Sequence, residues 1–376
     1  MKIENIFLAL LRAQLNNEDL SLEMQESLRD SCNFAALYKL SKKYDLAHLI
    51  SESLNKYKIL GENEISKKFV QQQNMAIFRD VQMQHEREQL KQIFIENDIQ
   101  FLLLKGSIIR ECYPATWMRT SCDIDVLIHE EDLDKAIRLL ESLDYTAGER
   151  SYRDVSLFAP NGVHIELHFS LKQAFKEVDK VLDRVWEYVQ EENTLAIEFF
   201  YFHIIAHTAY HFRRGGCGVR PFIDLWLMNK KCAINQEAVK EFCNQSGLTM
   251  FYQVAMRLIC AWFENGMMDD DLQAVQDYLL VSGLYGSIEN RVAIEKNKKG
   301  GKIKYIFSRL FLPYDVLKEY YPGLKGHKWR TPFYQIRRWF GLFSKEKRKR
   351  AISELQTKKD SKRETALTRI MEYVKL

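Results

Sequence analysis

Two aspartates, one residue apart within an apolar run, constrain this chain more than any other stretch: Asp123-Ile124-Asp125-Val126-Leu127-Ile128. In a strand alternate side chains share a face, so both carboxylates project from one side. Two like charges that close repel unless a cation lies between them. All-oxygen ligation by carboxylates is what Mg²⁺ selects, and a pair of such ions about 3.5–4 Å apart suits phosphoryl chemistry. A third acid, Glu166, stands in a second alternating run, where Val163, Ile165, Leu167 and Phe169 face one way and His164, Glu166 and His168 the other. Asn161-Gly162 joins that run to residues 155–160 as a hairpin.

Phe101-Leu102-Leu103-Leu104 is too short and too uniformly apolar for a surface helix and reads as a buried strand, followed by Lys105 and a Gly106-Ser107 turn. A helix starting near Ser107 aims free N–H groups and its positive dipole end above the sheet, where a triphosphate would lie. A bare Gly-Ser is also an ordinary tight turn with a helix cap. The Asp-x-Asp strand 17 residues after the glycine favours phosphate binding. Arg119, just before that strand, has two uses open to it: pairing with carboxylates or gripping phosphate oxygens. Residues 130–143 have helical spacing and residues 144–147 resume extended structure, giving strand–helix–strand.

These residues resemble the active site of the nucleotidyltransferase superfamily typified by DNA polymerase beta. More narrowly, Leu103 to Ser107, Arg119 to Asp125 and Glu166-Leu167-His168 look like a bacterial family of uncharacterised nucleotidyltransferases. His207 and His211 on an apolar helix, Arg220 to Asp224, and the Phe311-Leu312-Pro313 to Trp339 region also match that family's layout. The resemblance implies an α/β (α+β) fold with a small mixed sheet flanked by helices. It implies NMP transfer from an NTP to a hydroxyl acceptor with two Mg²⁺ ions. Asp123, Asp125 and Glu166 are then the catalytic and metal-holding set, and Lys105, Gly106, Ser107 and Arg119 the nucleotide-binding set. The acceptor is a small molecule, an RNA or a protein.

The flanks read as helical: an N-terminal lobe over residues 1–98, the sheet-bearing core over 99–175, a larger helical domain over 176–343 and a basic helical tail over 344–376. From Val178 onward the pattern predicts helices to the end. His203, His207 and His211 recur every four residues on one helical stripe, which either binds a metal or lines the cleft with His168, Arg220 and Asp224. His168 either touches nucleotide or hydrogen-bonds Glu166. Asp224, four residues after Arg220, is expected to pair with it.

Seven scattered cysteines without a C-x-x-C pair indicate neither a disulfide framework nor a zinc knuckle. No run of 18 uncharged apolar residues and no leader-like N-terminus is present, so a cytoplasmic location is expected. The net charge of +4 is uneven: Lys325 onward carries 16 Lys and Arg against 5 Asp and Glu, leaving the rest of the chain negative. Two rival readings follow, an inactive nucleotide-binding module and an RNA-binding protein acting through the basic tail, and an anionic partner at the tail is compatible with each.

Overall fold

A computed structural model describes residues 2–173, 175–283, 286–299, 302–341 and 361–376. Helical apolar spacing near the N-terminus yields α1 (Ile3–Asn16), α2 (Leu22–Asp30), α3 (Phe34–Lys43) and α4 (Ala47–Lys56), which bury Phe7, Leu11, Leu28, Leu37, Leu49 and Leu54. Side-chain caps set several starts: Ser21 accepts from the Met24 N–H, and Asn33 from that of Ala36. Asn63 caps α5 (Glu64–Glu96), a single helix of 33 residues with no glycine or proline to interrupt it.

The sheet has five strands, β1 (Phe101–Leu103), β2 (Asp123–Ile128), β3 (Thr146–Arg150), β4 (Asp154–Phe158) and β5 (His164–His168), in the order β1-β2-β5-β4-β3. Only β2 and β5 run parallel. Between β1 and β2 lies α6 (Gly106–Ile109), and between β2 and β3 lies α7 (Leu133–Ser142). One sheet face is apolar because alternate residues demand it. There Ile124, Val126, Ile165, Leu167, Val155 and Leu157 pack with Met83, Leu90 and Phe94 of α5 and with Leu133, Ala136 and Leu140 of α7. Truncating a buried residue such as Ile165 or Leu167 to Ala would cost about 2–5 kcal/mol.

Helix α5 also supplies polar anchors. Glu86, 1% exposed, accepts from the Tyr145 hydroxyl and, at 2.7 Å, from Asn161 Nδ2. Asp80 accepts from Arg110 Nη1 at 2.7 Å and Thr116 Oγ1 at 2.6 Å, while Arg87 donates to the Ser107 carbonyl at 2.9 Å. Buried charges are tolerated only when paired in this way.

After the sheet come α8 (Lys176–Leu182) and then, where only helix was expected, a small hairpin of β6 (Val189–Gln190) and β7 (Thr194–Leu195). The three intervening residues Glu191-Glu192-Asn193 turn on Asn193, whose φ of 55° is in the left-handed region that asparagine tolerates. Helices α9 (Ile197–Arg213), α10 (Arg220–Lys231), α11 (Gln236–Gln245), α12 (Thr249–Phe263), α13 (Asp270–Ser282), α14 (Ile288–Lys299), α15 (Lys302–Leu310), α16 (Tyr314–Tyr320), α17 (Thr331–Gly341) and α18 (Ser361–Val374) follow. The helices before and after the sheet share one buried cluster, in which Phe7, Leu49, Phe212, Phe222, Leu258 and Leu279 all take part. The Tyr44 hydroxyl donates to the Leu279 carbonyl at 3.1 Å across that junction. Leu367, Ile370, Met371 and Val374 of α18 are buried in the same cluster. The basic run Lys345–Arg350 lies outside the described residues.

Candidate active site

The polar sheet face is built by register. In the parallel pair β2–β5, Asp123 stands beside His164 and Asp125 beside Glu166, and across β5 in β4 Asp154 stands beside His168. Six ionisable side chains therefore meet on the face opposite the α5–α7 core. Among the described residues two groups bring one ligand atom each within 4.8 Å of one another: Asp123–His164–Glu166 and Asp125–Glu166–His168. Glu166 belongs to both. Each aspartate belongs to one.

Lys105 lies two residues past the end of β1, and its Nζ donates to Asp125 Oδ1 at 2.5 Å. His168 Nε2 lies 2.8 Å from the same oxygen and 3.4 Å from Glu166 Oε2. Asp125 is 5% exposed, and burial alone would raise its pKa, but Lys105 and His168 outweigh burial and hold the carboxyl well below the usual range. Asp123 goes the other way. Burial and then the Asp125 carboxylate push it up to about 7, against the pull of Lys105. Glu166 is lowered, first by its hydrogen bond from His168. Burial works against charge on His168 and on Lys105, and in both the acidic neighbours prevail and raise the pKa.

The turn expected at Gly106-Ser107 is present, but its strain falls on Lys105, with φ 44° and ψ −120°. A non-glycine residue there costs of the order of 1–3 kcal/mol, a kind of strain that gathers at functional sites. Gly106 needs its small size for another reason: a Cβ would come within 3.2 Å of the Ser121 Cβ. The helix that begins here is a single turn, running into a 3₁₀ turn at Arg110–Cys112. Ser107 is buried, and its N–H donates to the Leu104 carbonyl at 3.1 Å.

The facing wall of the cleft comes from the helical part. Ile204, His207, Thr208 and His211 of α9 and Arg220 and Asp224 of α10 look onto Lys105, Arg119, Asp123 and Asp125. The α9 histidines form a ladder with ring centroids 6.2 Å apart for His203–His207 and 4.5 Å for His207–His211. Burial, reinforced by the Lys105 ammonium, lowers all three, His203 and His211 to about 3. Among the described residues, both ring nitrogens of His203 and Nδ1 of His207 find no hydrogen-bond partner. Among the described residues, these three histidines are in neither potential metal-ligand group.

The expected Arg220–Asp224 pair is not formed. Asp224, 3% exposed, takes Arg119 Nε at 2.7 Å, Arg119 Nη2 at 2.8 Å and the Tyr113 hydroxyl at 2.7 Å. Arg220 instead donates to Asp45 Oδ2 at 2.7 Å and to Thr120 Oγ1 at 3.0 Å. A helical i,i+4 pair is worth about 0.2–0.5 kcal/mol, little beside a buried bidentate fork. Of the two uses open to Arg119, this structure shows the carboxylate pair, with Nη1 also donating to the Thr120 carbonyl at 2.6 Å. Sequence reasoning missed Asp45, Asp80 and Tyr113, for which no local signal exists. It missed His164 as a ligand candidate although His164 shares the Glu166 face.

The set fits a hard divalent cation. Its donors are mainly carboxylate oxygens, brought within 4.8 Å of one another on one face of the sheet. No curated protein matches this chain. A family described as "Uncharacterised nucleotidyltransferase" matches residues 30–264, which span α3 to α12 and so include the whole sheet and both cleft helices. With more than half of its length in that match and the mixed α+β core of the nucleotidyltransferase fold, the chain belongs to this family of uncharacterised nucleotidyltransferases.

Proposed function

We propose that the protein transfers a nucleoside monophosphate from an NTP to a hydroxyl acceptor, releasing pyrophosphate. The observation that carries this is the pair of carboxylate groups sharing Glu166 on adjacent parallel strands, directly across a cleft from neutral histidines. Asp123, Asp125 and Glu166 would hold Mg²⁺, two ions in the reading favoured by two ligand groups. Bound there, the ions polarise the phosphoryl oxygens and neutralise developing charge.

The chain's own residues do the rest. Glu166 orients the acceptor hydroxyl and takes its proton as the oxygen attacks the α-phosphorus. The α–β phosphoanhydride bond breaks and pyrophosphate leaves with the electron pair. Lys105 holds its proton and offsets charge on the triphosphate, moving from Asp125 to the phosphate oxygens. Gly106 keeps the backbone close to Ser121 at the cleft floor. The wall of His207, His211 and Arg220 shapes the acceptor side and excludes water.

The test is Asp123→Asn with Asp125→Asn. Calorimetry with Mg²⁺ and each NTP should show affinity in the parent and a loss of at least about tenfold in the double variant. Incubation with labelled NTP and a cell extract should label an acceptor only with the parent. Unchanged Mg²⁺·NTP affinity in a folded double variant would remove the carboxylates from the assignment.

A further inference from the structure

The helix α17 leaves a large apolar stripe in water. Its inward side holds Gln335, 6% exposed and donating to the Leu312 carbonyl at 2.5 Å, together with the rings of Tyr334 and Trp339, which meet Tyr321 at 5.2 Å and Phe311 at 5.3 Å between centroids. Its outward side carries Phe333, 65% exposed, and Ile336, 47% exposed, three residues apart on one stripe. Trp329, 67% exposed, precedes them, and its ring meets the edge of Phe333 at 6.4 Å between centroids. Leaving such side chains in water forgoes the stabilisation that burial would give, while a glutamine occupies the buried place.

The surroundings are cationic. Lys325, Lys328, Arg330, Arg337 and Arg338 lie in or just before the helix, and no Asp or Glu occurs between residues 320 and 345. Lys325, Lys328 and Arg337 are exposed, and the Arg330 guanidinium sits 5.0 Å from the Trp329 ring centroid. An apolar stripe with an interfacial tryptophan and a basic rim is the signature of a helix lying in a membrane surface, its apolar side sunk to the acyl boundary and its cations among anionic headgroups.

We propose that α17 docks this protein on the surface of an anionic lipid bilayer. Single-stranded RNA is the competing occupant for basic and aromatic residues, since bases stack on aromatic rings. Ile336 cannot stack a base, whereas an acyl layer takes an aliphatic side chain as readily as a ring. No helix among the described residues is long and apolar enough to cross a membrane, so the contact is peripheral.

The full chain is sedimented with phosphatidylcholine vesicles, with and without phosphatidylglycerol, and titrated in parallel against single-stranded RNA. The parent should partition onto the anionic vesicles and far less onto the neutral ones. Phe333→Ser with Ile336→Ser removes side chains that are about half or more in water, so the fold should persist with at most a small drop in melting temperature while partition falls by about tenfold or more. Trp329→Ala, outside the helix, should weaken partition in the same direction and guards against a folding defect in the first variant. The proposal is overturned if the parent ignores anionic vesicles, if both variants partition like the parent, or if the protein binds RNA but not vesicles.

Discussion

Replacing Asp224 with Asn should destabilise the protein more than any other single conservative change at the cleft. The Arg119 and Asp224 side chains are 11% and 4% exposed, so the always-charged guanidinium is buried, and the carboxylate 2.7 and 2.8 Å away compensates that burial. Asparagine is nearly isosteric, but it removes the negative charge and turns an N–H₂ donor toward either Arg119 or the Tyr113 hydroxyl, both of which now donate. Breaking one side of a buried ion pair costs about 3–5 kcal/mol, because the other charge is left uncompensated. Urea unfolding with linear extrapolation reads this directly. Arg119→Leu alone should also be costly, leaving Asp224 buried with only Tyr113. The double variant removes both charges, so its cost should fall short of the two singles added together by about 1–3 kcal/mol. A loss below about 1 kcal/mol for Asp224→Asn, or strict additivity, would show that the fork is not what holds α10 to the loop before β2.

Other outcomes follow from the same geometry. His48 is buried, hydrogen-bonds the Met118 carbonyl through Nε2 at 2.9 Å, and is lowered by burial to about 4. The unfolded state therefore takes up a proton near pH 6.5 that the native state refuses, and stability is lost as pH falls from there toward 4. His48→Gln keeps a donor for Met118, so between pH 6.5 and 5 the parent should lose about 1.5 kcal/mol more than this variant; equal pH slopes would contradict the shift. Glu166→Gln should cut turnover by about two orders of magnitude or more, the scale of losing a general base, and turnover within about tenfold of the parent's would take Glu166 out of the proton transfer. Deleting residues 361–376 exposes Leu367, Ile370, Met371 and Val374 and should lower the melting temperature, whereas a melt like the parent's would mean that α18 adds nothing to the core.

What could be read from the sequence was local. The Asp123-Ile124-Asp125 alternation, the Asn161-Gly162 hairpin and the uniform Phe101 to Leu104 run each carry their structure in adjacent residues, and each is found as expected. The order of strands was not legible, because nothing in β5 says that it slips between β2 and β4 and runs parallel to one and antiparallel to the other. Parallel pairing depends on chain entering from a distance. The cleft partners were hidden for the same reason: Arg119 and Asp224 are 105 positions apart, and Arg220 and Asp45 are 175. Local rules rank the nearest opposite charge first, and tertiary burial then reverses the ranking.

Helix α5 acts as a measuring rod for the sheet. Asp80 holds Arg110 and Thr116 in the segment that leads to the cleft, and Glu86, six residues on, holds Tyr145 and Asn161 at the far edge of the sheet. At 1.5 Å per residue these two anchors are about 9 Å apart along one rigid axis, and at 3.6 residues per turn they point about 120° apart. One residue inserted between them would advance Glu86 by about 1.5 Å and swing it through about 100°, away from both partners. Substitutions along the outer side of α5 leave this ruler intact, but a change in the length between positions 80 and 86 moves the hairpin that carries Glu166 relative to the loop that carries Arg119. Strand register decides which carboxylates meet, and the spacing of two acids on a helix behind the sheet ties their hairpin to the loop before β2.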